Sequence, residues 1–214
     1  MDAQAGSDEA RLRAVMDQAR RLVPYGAPVV ALPSVRTLHT VTAEQGEVLP
    51  LVLASYAFTQ PQFGGCVSMK SPRVLVVEGT LDDGHLPDLL PVLEQAATDG
   101  AQLVVAAADY GATILAMLVV NQMRDTLSVA ALAPPDPADR SALSRLAVLA
   151  QAPAVRVGDR LRIDRPGTVP RLLMTTRETV VLDGPGARPL ALIRAGGETA
   201  EEARAAAVRL RTMR

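Results

Sequence analysis

LPDLLPVLEQAATDGAQLVVAAADYGATILAMLVVNQMR, residues 86–124, reads as helix, strand and helix, with more apolar surface than one core can use. Its second helical segment, 112–124, runs Ile114, Leu115, Ala116, Met117, Leu118, Val119 and Val120 without a polar break. At the helical period Ile114, Met117 and Leu118 fall on one arc, Leu115, Val119 and Met123 on the other, and Val120 lies further round the second. A helix apolar on both sides is normally buried in a large core or a membrane. The run is too short to span a bilayer and 214 residues make a modest core, so one face is left for a partner.

Around this stretch the sequence alternates strands and helices. Val74 to Val77 is a continuous apolar run bounded by turn signals, the pattern of a strand covered on both faces. In the helix that follows, Leu86, Leu89, Leu90, Leu93, Ala96 and Ala97 share a face, and Pro91 is expected in its first turn. Gly100 is a C-cap, Leu103 to Ala106 a second buried strand, and Leu127 to Leu132 a third. Ala133 to Ala138 is a proline-rich loop, and Asp139 caps a helix carrying Leu143, Leu146, Ala147 and Ala150. This order predicts an α/β layer. Short strands follow at 156–163, 171–175 and 179–182, with Asp183-Gly184 read as a hairpin turn. Before it all come a helix from Ser7 with a Leu12, Val15, Met16, Ala19 and Leu22 stripe, and strands at 28–32, 39–42 and 49–55. A capping box, Thr199 with Glu202, opens the last helix.

Composition excludes several functions. The net charge of −1 carries no basic stripe, and 2% aromatic residues leave few stacking platforms, so nucleic acid is not an expected partner. A lone cysteine, Cys66, excludes an internal disulfide and a multi-cysteine metal site, and fits a reducing compartment. The opening MDAQAGSDEA has no apolar h-region, so a soluble cytoplasmic protein is expected. His39 and His85 stand apart from ligand-spaced cysteines or carboxylates and read as surface or cap residues. Gly184-Pro185-Gly186 lacks the Lys-Ser/Thr of a phosphate loop, and Asp82-Asp83 beside Gly84 reads as a solvated turn. No catalytic residue, metal or cofactor is assigned.

Leu90-Pro91-Val92-Leu93-Glu94, then Leu118-Val119-Val120-Asn121 with Met123-Arg124, resembles the apical domain of a GroEL-type (group I) chaperonin. Ser71-Pro72, Val129-Ala130-Ala131, Ala133-Pro134, Asp139-Arg140 and Thr179-Val180-Val181-Leu182-Asp183-Gly184 follow in the family's order and nearly its spacing. The resemblance implies an α/β (α+β) fold, a GroEL apical-domain-like layered β/β/α domain with helical and strand flanks similar to the chaperonin intermediate domain. The expected boundaries are 1–48 for the N-terminal flank, 49–197 for the apical-like domain and 198–214 for the C-terminal helix.

In that family unfolded polypeptides and a co-chaperonin loop bind an apolar groove between the two helices of the opening stretch. Carried over, the polypeptide-binding residues are Leu90 and Leu93 on the first helix and Leu115, Val119 and Val120 on the second, with Asn121 at the edge. Phe58 and Phe63 match two aromatics of an adjoining loop, and Gln62 stands where the family has a third. The family's equatorial ATPase domain has no counterpart in the 214 residues, so ATP hydrolysis and a folding cage are not expected. The expected protein is a monomer or small oligomer, not an enzyme, that holds apolar segments of unfolded or partner polypeptides without ATP. Its partners then include a co-chaperonin loop or a full-length chaperonin. The alternative is a structural subunit permanently bound to one dedicated client.

Overall fold

A computed structural model describes residues 2–34, 36–59, 65–155 and 166–213, with the backbone alone over 2–7. In chain order the first elements are α1 (Asp2–Leu22), β1 (Val29–Pro33), β2 (Thr40–Leu49), β3 (Val52–Leu53), β4 (Val67–Lys70) and β5 (Arg73–Leu81). Next come α2 (Leu86–Thr98), β6 (Leu103–Tyr110), α3 (Ala112–Met123), β7 (Val129–Ala133) and α4 (Ser141–Ala150). The chain finishes with β8 (Ala154–Val155), β9 (Gly167–Thr168), β10 (Arg171–Met174), β11 (Thr179–Leu182), β12 (Arg188–Ala195) and α5 (Ala200–Thr212). These elements form two compact units, one of residues 1–47, 59–66 and 186–214, the other of 48–58 and 67–185.

The larger unit is built on the sheet β3-β7-β6-β5-β8. β5, β6 and β7 are parallel neighbours, β8 runs parallel to β5, and β3 and β9 pair antiparallel with β7 and β5. Val74, Val76, Leu103, Val104 and Val105 are buried, as strands covered on both faces require. Crossovers between parallel strands wind right-handed. α2 and α3, which advance the chain from β5 to β6 to β7, therefore share one face of the sheet. The connection through α4 returns from β7 to β8, beyond β5, and takes the other face. An antiparallel ribbon of β4, β10 and β11 supplies a second β layer, and its Leu172, Met174 and Val181 join the same core.

The smaller unit pairs β1 parallel and β2 antiparallel with β12. Against it pack Leu12, Met16 and Ala19 of α1 and Val23 just after it, with Ala207 and Leu210 of α5. α5 begins as expected, with the Thr199 hydroxyl accepting from Glu202 N at 3.1 Å and the Glu202 carboxylate accepting from Thr199 N. His39 Nδ1 accepts the Gly196 N–H at 3.0 Å, and burial, with the charge of Arg11, holds its pKa below the ordinary value.

Several expectations are corrected. α1 starts at Asp2 rather than Ser7, and its stripe closes on buried Val23, leaving Leu22 exposed. α2 starts at Leu86, so Pro87 takes the first turn and Pro91 lies inside the helix, where it removes one backbone hydrogen bond. Asp183-Gly184 does not join paired strands. The ribbon turn lies at 175–178, where Thr175 Oγ1 accepts from Arg177 N and Glu178 N, both at 3.1 Å. β12 has no expected counterpart. Its pairing with β1 and β2 makes it the middle strand of the three in the smaller unit. The strand expected at 156–163 lies outside the described residues.

At Gly167 the β9 backbone passes so close to the end of α4 that a Cβ would stand 2.3 Å from the Ala150 carbonyl oxygen and 2.6 Å from Ala152 Cβ. Gly167→Ala is expected to lower stability by about 1–3 kcal/mol, as overpacking does. Denaturant unfolding measures this, and an unchanged midpoint would contradict so tight an approach.

Candidate functional site

α2 and α3 are held together at their starts. Asp82, just past β5, caps a 3₁₀ turn, its Oδ1 accepting from Gly84 N at 3.1 Å and lying 2.8 Å from His85 Nδ1. That turn leads directly into α2. β6 ends beside it: Gly111 N donates to the Leu81 carbonyl at 2.8 Å, and a Cβ at Gly111 would sit 3.2 Å from Asp82 Cα. The Thr113 hydroxyl, in the first turn of α3, donates to Asp83 Oδ2 at 3.1 Å. Both helices thus begin at one edge of the sheet and run the same way along it. Below them the Tyr110 hydroxyl lies 2.7 Å from the Val105 carbonyl and 3.0 Å from that of Leu132. Burial pushes its pKa up, which keeps it a donor that ties β6 to β7.

The two arcs of α3 separate in part: Met117, expected with Ile114 and Leu118, is only partly buried, like Leu115 and Val119. Ile114 and Leu118 are fully buried, Leu115, Met117 and Val119 pack partly buried against the core, and Val120 and Met123 are 42% and 71% exposed. On α2, Leu89, Leu93 and Ala96 are buried, while Leu90 is 39% exposed. Leu90 on α2 and Val120 on α3 are therefore exposed, and Leu115 and Val119 on α3 are partly so.

Other assigned residues are placed differently. Leu93 is 6% exposed, because it falls one turn from Leu89 on the arc that meets the sheet, so it supports the face from below. Phe58 is 1% exposed and fills the core, and the 3₁₀ turn Tyr56–Phe58 that holds it packs against α3. The aromatic side chain that this turn exposes is Tyr56. Phe63 and Gln62 lie outside the described residues. Asn121 is half-buried and its side-chain amide is engaged within its own unit: its Nδ2 donates to the Met117 carbonyl one turn back at 2.9 Å, and Thr126 Oγ1 donates to its Oδ1 at 2.9 Å. Sequence reasoning passed over Tyr56 and left Met123 out of the carried-over set. The exposure of Met123 was signalled by its position on the Leu115 and Val119 arc, that of Tyr56 by nothing beyond its neighbours.

No protein-family profile matches the chain. Among curated proteins it is similar to Chaperonin GroEL 2 of Corynebacterium jeikeium (strain K411), with 33% identity over 136 residues that cover 60% of this chain and 25% of that protein. Among solved structures it is similar to the chaperonin gp146 from the bacteriophage EL 2 (Pseudomonas aeruginosa), determined in the presence of ATP-BeFx. One crystal form gives a TM-score of 0.57 at 14% identity, covering 87% of this chain and 45% of that one. A second gives 0.56 at 16%, covering 87% and 44%. The chain is homologous to part of a GroEL-type chaperonin, and its fold matches part of a chaperonin. It spans about a quarter of the curated relative's length and under half of the phage protein's.

The burial pattern separates stability from surface. Leu118→Ser is expected to cost at least the roughly 2–5 kcal/mol of truncating a core leucine. Leu115→Ser combined with Val119→Ser should cost less than that single change, since both residues are already partly exposed. Thermal unfolding of the two variants decides it, and a double variant that melts below Leu118→Ser would make the outer arc part of the core.

Proposed function

We propose that the α2–α3 face binds apolar segments of unfolded or partner polypeptides, and that this chain does so as a chaperonin-like holder without hydrolysing ATP. The observation that carries this reading is the exposure of Leu90 on α2 and of Val120 and Met123 on α3, with Leu115 and Val119 partly buried, on two helices that start from one joint and whose opposite arcs are sealed in the core. Similarity to a chaperonin supports it. Burying a leucine or valine side chain gives roughly 1.5–3 kcal/mol, so three or four such anchors give about 6–10 kcal/mol gross. Loss of translational freedom and ordering of the peptide take back much of that, leaving about micromolar affinity. Weak binding with little side-chain selectivity suits a holder of many clients. A single cysteine, Cys66, fits a reducing compartment, and the proposal assigns the protein to the cytoplasm.

Light scattering of a chemically denatured client diluted into buffer tests the proposal. The wild-type chain is expected to suppress aggregation at stoichiometric amounts without added nucleotide. The Leu115→Ser, Val119→Ser variant should lose most of that suppression while remaining folded. A folded double variant that protects the client as well as the wild type would move binding away from this face.

A further inference from the structure

The charge of the chain is distributed unevenly around the two helices. Residues 82–125 hold seven carboxylates and one basic side chain, Arg124, although the whole chain has 23 acidic and 22 basic residues. The other 170 positions therefore hold 16 acidic and 21 basic side chains. The segment that bears the apolar face is the acidic part of a nearly neutral protein.

That charge is also polarised along the helices. Asp82 and Asp83 precede α2, Asp88 lies in its first turn, and Asp109 is the last residue but one of the strand that leads into α3. The Gly111 to Leu81 backbone bond and the Thr113 to Asp83 side-chain bond gather these carboxylates at one end of the face. Two helix N-termini there contribute about half a positive charge each, which offsets only part of four carboxylates. The opposite end is close to neutral: Asp99 is held by Arg73 at 2.6 Å, and Arg124 adjoins Asp125. α2 is 13 residues long, so the face extends about 20 Å, the length of some six extended or thirteen helical client residues.

Building on the apolar-face reading, we infer that the preferred occupant is an apolar polypeptide segment with lysine or arginine at one flank, seated with that flank over the α2 and α3 N-termini. The apolar side chains supply affinity, and the carboxylates choose among apolar segments and fix their direction. Charges at an exposed rim act this way, raising encounter rates and rejecting like-charged partners more than adding affinity. Their reach is the screening length, about 8 Å at physiological salt, so they sense the flank of a bound segment.

The test uses the whole chain and three fluorescent twelve-residue apolar peptides that differ in one flank: two lysines, two glutamines or two glutamates. At 50 mM salt the lysine peptide is expected to bind about tenfold more tightly than the glutamate peptide, and at 500 mM salt the ratio should fall below about threefold. Asp83→Asn with Asp109→Asn, which keeps an acceptor oxygen at each position, removes two of the four carboxylates and should at least halve the lysine peptide's advantage over the glutamine peptide. Equal binding of all three peptides would overturn the charge preference and leave the apolar face standing. No binding by any peptide would overturn both. Full binding of the lysine peptide to the folded Leu115→Ser, Val119→Ser variant would mean adsorption elsewhere and would overturn the inference too.

Discussion

The joint at the C-terminal edge of β5 and β6 is what the larger unit depends on. The Gly111 N–H reaches the Leu81 carbonyl at 2.8 Å, and little room remains for a side chain at Gly111 next to the Asp82 backbone. Two helices are thereby started from adjacent points with a common direction, over a sheet whose strands are buried on both sides. Their spacing and rotation follow from that joint, from the buried Tyr110 hydroxyl beneath it, and from Asn121 and Thr126 at the far end of α3. Once rotation is fixed, Ile114 and Leu118 face the sheet, Leu115 and Val119 lie at the margin of the core, and Val120 and Met123 face outward. The apolar face is a consequence of how the helices are anchored.

Much of this was legible in the sequence because α3 has two apolar arcs and only one sheet to meet. Periodicity alone put Leu115, Val119 and Met123 opposite Ile114 and Leu118, and the continuous apolar runs at 74–77 and 103–106 fixed a sheet covered on both faces. Thr199 and Glu202 gave the start of α5 to the residue, since a reciprocal cap leaves a local signature. What escaped detection depended on distant pairing. β12 has only a short apolar run, Leu190 to Ile193, behind Arg188 and Pro189, and its identity as a strand comes from β1 and β2 on either side of it. Phe58 was misplaced for a related reason. A loop aromatic can cover a core or line a surface, and its sequence neighbours do not distinguish the two.

The face and its surroundings divide the work between different physical forces. Apolar burial is non-directional and indifferent to sequence detail, which suits the proposed holding of many different segments. Charge is directional and screened by salt, so acidic residues at one end can select and orient without committing the site to a single sequence.

The account rests on the outward arc of α3 being the surface that contacts an apolar peptide. Backbone amide and methyl chemical shifts, followed by NMR as an apolar peptide is titrated into the intact chain, test that contact residue by residue. The account predicts that the largest perturbations fall on Leu90, Leu115, Val119, Val120 and Met123 and saturate together at about micromolar affinity. Perturbations concentrated on the opposite side of the sheet, at α4 or around Val169 and Asp183, with the α2 and α3 signals unmoved, would contradict it.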